Sequence, residues 1–415
     1  MQNIIIEKPY QFIPPFRGTH WSSLFKLLKI PERYLRRYAG ITKIECRRVE
    51  RLRASIDAGH GILLTPNHPR TTDPLAMGRL AAEAKCHFYA MASWHLFHHS
   101  RLHRWAIQRM GAFSVHREGV DRQAINTAID LLAEADRPLV IFPEGATSRT
   151  NDHLHALLDG VAFIARTAAK KRAKLATPGK VVVHPIGIKY LYQGDIEKSA
   201  DAILTDIEHR LTWPPQRDLP LLQRMYKVGS ALLTLKEIEY LGEAQSGTLA
   251  DRLNNLMNRL LAPLEEEWFG KVQEGGVVPR VKGLRMRLLP EMVAGSLTKE
   301  ERQHRWRQLS QIYLAQQLSC YPPDYLERPT VDRVLETLER FEEDLTDQAR
   351  VNGPMHVIIE IDEPIEVSPE RDRKATVDPL MEQLKTRLET MMRRLGELSP
   401  TLDDQASRSS AAPTK

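Results

Sequence analysis

The sequence predicts an α/β domain, a mixed and largely parallel sheet flanked by helices. Two observations carry this. Between residues 43 and about 190, short apolar stretches alternate with stretches whose apolar residues recur at helical spacing, the order expected when helices cross over between strands of one sheet. Chemistry-bearing residues then fall in the turns after the apolar stretches, where such sheets gather substrate groups. At 415 residues the chain has length for two or three domain-sized units and a substantial core.

Residues 21–38 place Trp21, Leu24, Phe25, Leu28, Tyr34, Leu35 and Tyr38 at helical spacing among Lys26, Lys29, Arg33, Arg36 and Arg37. This is a basic amphipathic helix, broken near Pro31. Such a helix suits a lipid interface, with aromatic rings dipping in and cations on headgroups, and equally a place on the core with a solvated basic face. Strands are expected at 43–48, 61–66, 87–91, 112–115, 138–142 and 181–188, with helices at 73–84, 95–109, 120–135 and 157–172. Further helices are expected at 219–238, 247–268, 298–319 and 329–347, where apolar residues such as Leu253, Leu256, Leu260, Leu261 and Leu264 share a face.

Composition closes several routes. Cys46, Cys86 and Cys320 are scattered with no C-x-x-C pair, which argues against a disulfide framework or zinc knuckle and fits a reducing compartment. Residues 1–15 lack the apolar core of a signal peptide, and no run approaches the roughly 20 apolar residues of a spanning helix, so membrane contact is expected to be peripheral. The net charge of +6 favours polyanions, lipid surface or nucleic acid. No helix-turn-helix, RNP-type or zinc-finger pattern is present, so nucleic acid is not expected as a partner. His95, His99 and His103 recur on one helical face without the Glu or Cys that would complete a site, and no metal is expected.

The stretch with most chemistry is Asn67-His68-Pro69-Arg70-Thr71-Thr72-Asp73-Pro74, a turn after the strand Gly61–Leu64 that opens a helix. A neutral imidazole can take a proton from a hydroxyl, and a nearby carboxylate can hold its tautomer. No Gly-x-Ser-x-Gly elbow supplies a nucleophile, so the hydroxyl is expected to arrive with the substrate. His116 and Asp121 have the same separation but lie among charged residues, and are expected to be accidental. Arg117 follows the strand Ala112–Val115, and Pro143-Glu144-Gly145-Ala146-Thr147-Ser148-Arg149-Thr150 follows Leu139–Phe142. Arginine binds phosphate bidentately, and glycine admits close backbone approach.

In this order the blocks resemble the phospholipid/glycerol acyltransferase family. Asn67, His68 and Asp73 match its Asn-His-x4-Asp block; Gly111 to Arg117 resembles Gly-x-x-Phe-x-x-Arg; Phe142-Pro143-Glu144-Gly145 opens the Phe-Pro-Glu-Gly-Thr-Arg-Ser block; and Val183-His184-Pro185-Ile186 resembles the Val-Pro-Ile strand end. The third block departs at Ala146 and Thr147, with the next arginine, Arg149, two positions late, and His184 replaces the usual Val. Met355 to Ile365 looks like the family's closing strand, Asp362 replacing a glycine, followed by a last helix at about 376–395.

The resemblance implies an acyltransferase fold interrupted by a mainly helical insertion. The expected organisation is an N-terminal extension with the basic helix (1–42), acyltransferase core (43–195), insertion (196–350), closing strand and helix (351–397) and disordered tail (398–415). It implies His68 as general base with Asp73 orienting it, and Arg117, Glu144, Gly145 and Arg149 binding substrate. Pro185 and Ile186 would line an acyl pocket, and backbone amides at the start of the helix after His68 would steady the oxyanion. No cofactor is implied. The co-substrate would be acyl-CoA or acyl carrier protein, the acceptor a glycerol-phosphate lipid, and the site of action the cytoplasmic face of a membrane. Two rivals remain, a catalytically silent lipid-binding or scaffold protein of the same fold and a basic nucleic-acid binder.

Overall fold

The computed structural model describes residues 6–175, 179–348, 350–371 and 377–405. They fall into two compact units, one running from residue 6 to 191 with 354 to 398, the other from 192 to 353 with 399 to 405. In chain order the elements are α1 (His20–Leu27), α2 (Ile30–Ala39), β1 (Ile41–Arg47), α3 (Val49–Asp57), β2 (Gly61–Pro66), α4 (Asp73–Glu83), β3 (Tyr89–Ser93), α5 (Arg101–Arg109), β4 (Ala112–Val115), α6 (Arg122–Glu134), β5 (Leu139–Val140), α7 (Gly160–Arg172) and β6 (Val181–Tyr192). Then come α8 (Ile196–Arg210), α9 (Leu221–Leu241), α10 (Leu249–Phe269), α11 (Val277–Ala294), α12 (Lys299–Leu318) and α13 (Val331–Thr346). The chain ends its path with β7 (Met355–Ile361), β8 (Ile365–Glu366) and α14 (Pro379–Gly396).

The sheet runs β1-β7-β6-β2-β5-β3-β4, with β8 antiparallel on β6. The pairs β1/β7, β2/β6, β2/β5, β3/β5 and β3/β4 are parallel. Both β2 and β6 are buried along their whole length, which is why neither shows the polar–apolar alternation of a half-exposed strand. Leu63, Leu139 and Val183 from the sheet meet Leu132 of α6, Ala165 of α7 and Leu384 and Leu388 of α14, all fully buried. Each buried leucine contributes about 1.5–3 kcal/mol.

Strand and helix bounds differ from the expected ones where proline or short length intervenes. β5 is only two residues long, although Ile141 N still donates to Leu64 O at 3.0 Å. The expected closing strand splits into β7 and β8 around a turn at Pro364. Instead of one helix at 95–109 there is a 3-10 turn, Trp94–His98, followed by α5, whose Ser100 Oγ accepts from His103 N. The rings of His95, His99 and His103 stand 6.1 and 5.4 Å apart in succession.

Before α1 the chain covers the sheet edge. Ser114 N of β4 donates to Ile13 O at 3.0 Å and Ile13 N to Ser114 Oγ at 2.8 Å, while Ile13 packs with Trp94 and Phe97; an exposed edge strand would otherwise invite foreign pairing. The basic amphipathic stretch forms two helices, parted at Lys29, which adopts a left-handed φ of 52°. Leu35 of α2 is buried in the core, while Leu27, Leu28, Ile30, Tyr34 and Tyr38 face outward.

The second unit contains a tandem repeat the sequence reading missed. Glu208, Glu237 and Glu265 sit near the ends of α8, α9 and α10, fully buried, and each grips an arginine of the next helix: Arg224, Arg252 and Arg280. The second carboxylate oxygen of each also accepts the backbone N–H of the residue eight positions on, always a glutamine: Gln216 at 3.2 Å, Gln245 at 3.1 Å and Gln273 at 3.1 Å. Each glutamine side chain closes its own turn on the carbonyl two residues back. One helix–turn–helix unit of about 28 residues thus recurs, its buried polar groups mutually satisfied. The tail was expected to be disordered from 398. Instead, Val331 N donates to Pro400 O at 2.9 Å and Leu402 N to Pro329 O at 3.1 Å, because these backbone groups complete each other's bonding; residues 406–415 lie outside the described residues.

Candidate active site

Three loops, following β2, β4 and β5, carry the site together with the overhang of β6. Beyond the last β2/β6 pair, Pro66 with Ile186, β6 continues without β2 beside it. Side chains replace its missing neighbour. Asn67 Nδ2 donates to Ile188 O at 3.0 Å while its Oδ1 accepts Ile188 N at 2.6 Å, and Asn151 does the same for Tyr190, whose N–H it accepts at 2.8 Å. This extends the edge of β6 alongside the loop bearing His68.

In that loop His68 Nδ1 lies 2.8 Å from Asp73 Oδ2, and the aspartate is fully buried at the first position of α4. Arg70 N donates to the same oxygen at 2.9 Å, and the Tyr190 hydroxyl donates to Oδ1 at 2.5 Å. Both oxygens accept, so the cage suits a carboxylate. The carboxylate in turn places the imidazole hydrogen on Nδ1 and leaves Nε2 as the basic nitrogen. The imidazole stacks on Phe142, centroids 4.0 Å apart, and 16% of its side chain stays exposed, enough for a small reactive group to approach.

His116 and Asp121 make no such pair. Asp121 Oδ1 caps α6 through Ala124 N at 2.9 Å, and its Oδ2 takes the backbone N–H of His116, also at 2.9 Å. The His116 ring stacks on Tyr10 instead. Equal spacing gives unequal chemistry because one carboxylate is already spent on a helix end.

Glu144 is 3% exposed and braces the histidine loop from beneath. Its Oε1 accepts His68 N at 2.7 Å and its Oε2 accepts His155 N at 3.0 Å. Both oxygens therefore face backbone amides, where the resemblance implied contact with substrate. Burial pushes its carboxyl from the ordinary 4.5 up to about 7, against the pull of those two amides. Gly145 turns at φ 70°, and a Cβ there would meet Leu158 Cδ1 at 2.4 Å, so the turn requires glycine. Its carbonyl accepts from the Arg117 guanidinium, which ties the loop after β4 to the loop after β5. Burial lowers the Arg117 pKa below its ordinary value, countered by Glu118.

The remaining expected residues are placed differently. Arg149 is half-buried with a left-handed φ of 59°, between the buried Ser148, which donates from its amide to His68 O at 2.8 Å, and the buried Thr150. Pro185 and Ile186 pair with Thr65 and Pro66 inside the sheet and are buried, so neither offers surface to a bound chain in this structure. At the start of α4, Asp73 N bonds Arg70 O, Leu75 N and Ala76 N bond Thr72 O, and Pro74 has no amide hydrogen. These amides do not form the expected oxyanion hole. Tyr190 and Asn151 were not foreseen as parts of the site, and Asn67 was read as part of the motif without a role of its own; Tyr190 lies two residues past the expected end of its strand, and no motif marks it.

A base held by a buried carboxylate, an arginine nearby and no side-chain nucleophile suit activation of a hydroxyl that enters with a substrate. Residues 43–189 match the family model described as Acyltransferase, which marks this stretch as an acyltransferase domain. Over 107 residues the chain is 36% identical to a 1-acyl-sn-glycerol-3-phosphate acyltransferase of Streptococcus pneumoniae (strain ATCC BAA-255 / R6). That similarity covers 26% of this chain and 37% of the relative's length.

Proposed function

We propose that the protein is an O-acyltransferase that moves a fatty acyl group from an acyl thioester, on CoA or acyl carrier protein, to a hydroxyl of a glycerol-phosphate lipid. 1-Acyl-glycerol-3-phosphate is the acceptor type named for the relative, and the reaction belongs to phospholipid synthesis. The single observation that carries this reading is the His68–Asp73 pair with Nε2 left basic. His68 Nε2 takes the proton of the acceptor hydroxyl as its oxygen bonds to the thioester carbonyl carbon. The tetrahedral intermediate then breaks its C–S bond, and the departing sulfur takes the proton from the imidazolium. Ester and thiol leave, and the base is restored without an acyl-enzyme. Asp73 stabilises the transient imidazolium, and Arg117 holds the acceptor phosphate by charge-assisted bonds.

The reaction takes place at a bilayer surface. Among the described residues no helix is long and apolar enough to cross a membrane. Attachment is peripheral, through the outward apolar side chains of α1 and α2 and the exposed Lys29, Arg33, Arg36 and Arg37 between them. The test is His68→Ala in purified protein given labelled acyl thioester and lysophospholipid. Turnover is expected to fall about 10²- to 10⁴-fold with the fold intact. A variant as fast as wild type would remove His68 from catalysis, and a wild type that consumes no thioester would favour the silent lipid-binding reading.

A further inference from the structure

The geometry points to Tyr190 as a positioning residue for the catalytic pair, acting through Asp73. This rests on the acyl-transfer reading above. The Tyr190 side chain is 1% exposed, and its hydroxyl donates to Asp73 Oδ1 at 2.5 Å. The opposite oxygen takes His68 Nδ1–H and Arg70 N, at 2.8 and 2.9 Å. Two donors on Oδ2 alone leave the carboxylate free to swing about its Cβ–Cγ bond; a third on Oδ1 removes that freedom. The imidazole is then held in one plane, with Nε2 pointing one way.

The tyrosine is itself held on every side. Its backbone N–H and C=O are both bonded to the Asn151 side chain, and the Arg70 guanidinium lies 5.3 Å above its ring. Burial and the neighbouring Asp73 push the phenol well above its usual range, so the hydroxyl remains a donor at any working pH. The ring does not approach the reacting atoms through any bond of its own. Its effect reaches the acceptor hydroxyl only through Asp73 and His68, which makes it a residue of orientation and not of substrate binding.

The experiment is Tyr190→Phe, which keeps the ring and deletes the hydroxyl. We expect kcat to fall about 10- to 100-fold, the range for losing an outer partner of a reactive group, with the acceptor KM within twofold of wild type. In an Asp73→Asn background the same substitution should cost nothing further, because the acceptor of the bond is already altered. A second readout does not need turnover: the low-field proton resonance of the His68–Asp73 bond, assigned by its loss in His68→Ala, should broaden in Tyr190→Phe. Wild-type kcat together with an undisturbed resonance overturns the inference, as does equal loss in the Asp73→Asn background or a loss confined to KM. If wild type has no acyltransferase turnover, the functional reading fails, while the resonance still decides whether Tyr190 holds Asp73.

Discussion

His184 shows how a single buried residue can set a pH limit. It is fully buried, with Nδ1 donating to Asp362 O and Nε2 accepting from the Ser55 hydroxyl, each at 2.9 Å. Burial lowers its pKa from the ordinary 6.5, outweighing the nearby Asp362 carbonyl and Glu363. Below that value the unfolded chain binds a proton that the folded chain refuses. Stability therefore holds above pH about 6.5 and falls below it, by at most about 1.4 kcal/mol per pH unit. His184→Val removes this proton, so the advantage in melting temperature of wild type over the variant should shrink between pH 7 and 5; a constant difference would show that His184 does not titrate in that range. Legibility at this scale follows the same logic. His68 and Asp73 could be read because their chemistry depends on sequence spacing and a strand end. Tyr190, Asn151 and the part Asn67 plays could not, because those roles arise only where β6 outruns β2. The true role of Asp121, a helix cap, was hidden behind the same spacing.

Among the elements, α1 and α2 offer the sharpest test. Leu35 binds α2 to the core while Leu27 is 78% exposed, so one face packs and another stays open, the face proposed above for a lipid surface. A Leu27→Glu and Leu28→Glu double variant should leave the melting temperature nearly unchanged, as exposed substitutions usually do. It should cut binding to phosphatidylglycerol-containing vesicles by tenfold or more, since each leucine entering the interface is worth up to about 1.5–3 kcal/mol. Undiminished co-sedimentation would remove this surface from membrane attachment. The elements that were legible are those with strong apolar periodicity and clean punctuation, such as β2, α4 and α6. α11 was missed because Pro279, Gly283 and Pro290 fall within it, residues that in isolation argue against helix. α3 was missed because nine residues carry too little period to stand out.

For the molecule as a whole, the α/β sheet was legible and the internal periodicity of the second unit was not. The repeat is written in three widely spaced letters, Glu, Gln eight residues on and Arg seven or eight beyond that, while the residues between them differ freely. Burial works against the Glu237 carboxyl, yet Arg252 and the Gln245 amide hold its pKa below the ordinary value, so removing the arginine strands a buried charge. Arg252→Met should cost about 3–5 kcal/mol. Because every fork joins only adjacent helices, the damage should stay local: amide exchange should rise in α9 and α10 and stay at wild-type levels in β2 and β6. Exchange that rises everywhere at once would mean the repeats melt together with the sheet. The expected pattern gives the chain uneven cooperativity. Heat would loosen the repeats step by step across a broad transition, with a calorimetric enthalpy larger than the one inferred from its width, and no single midpoint would describe the whole chain.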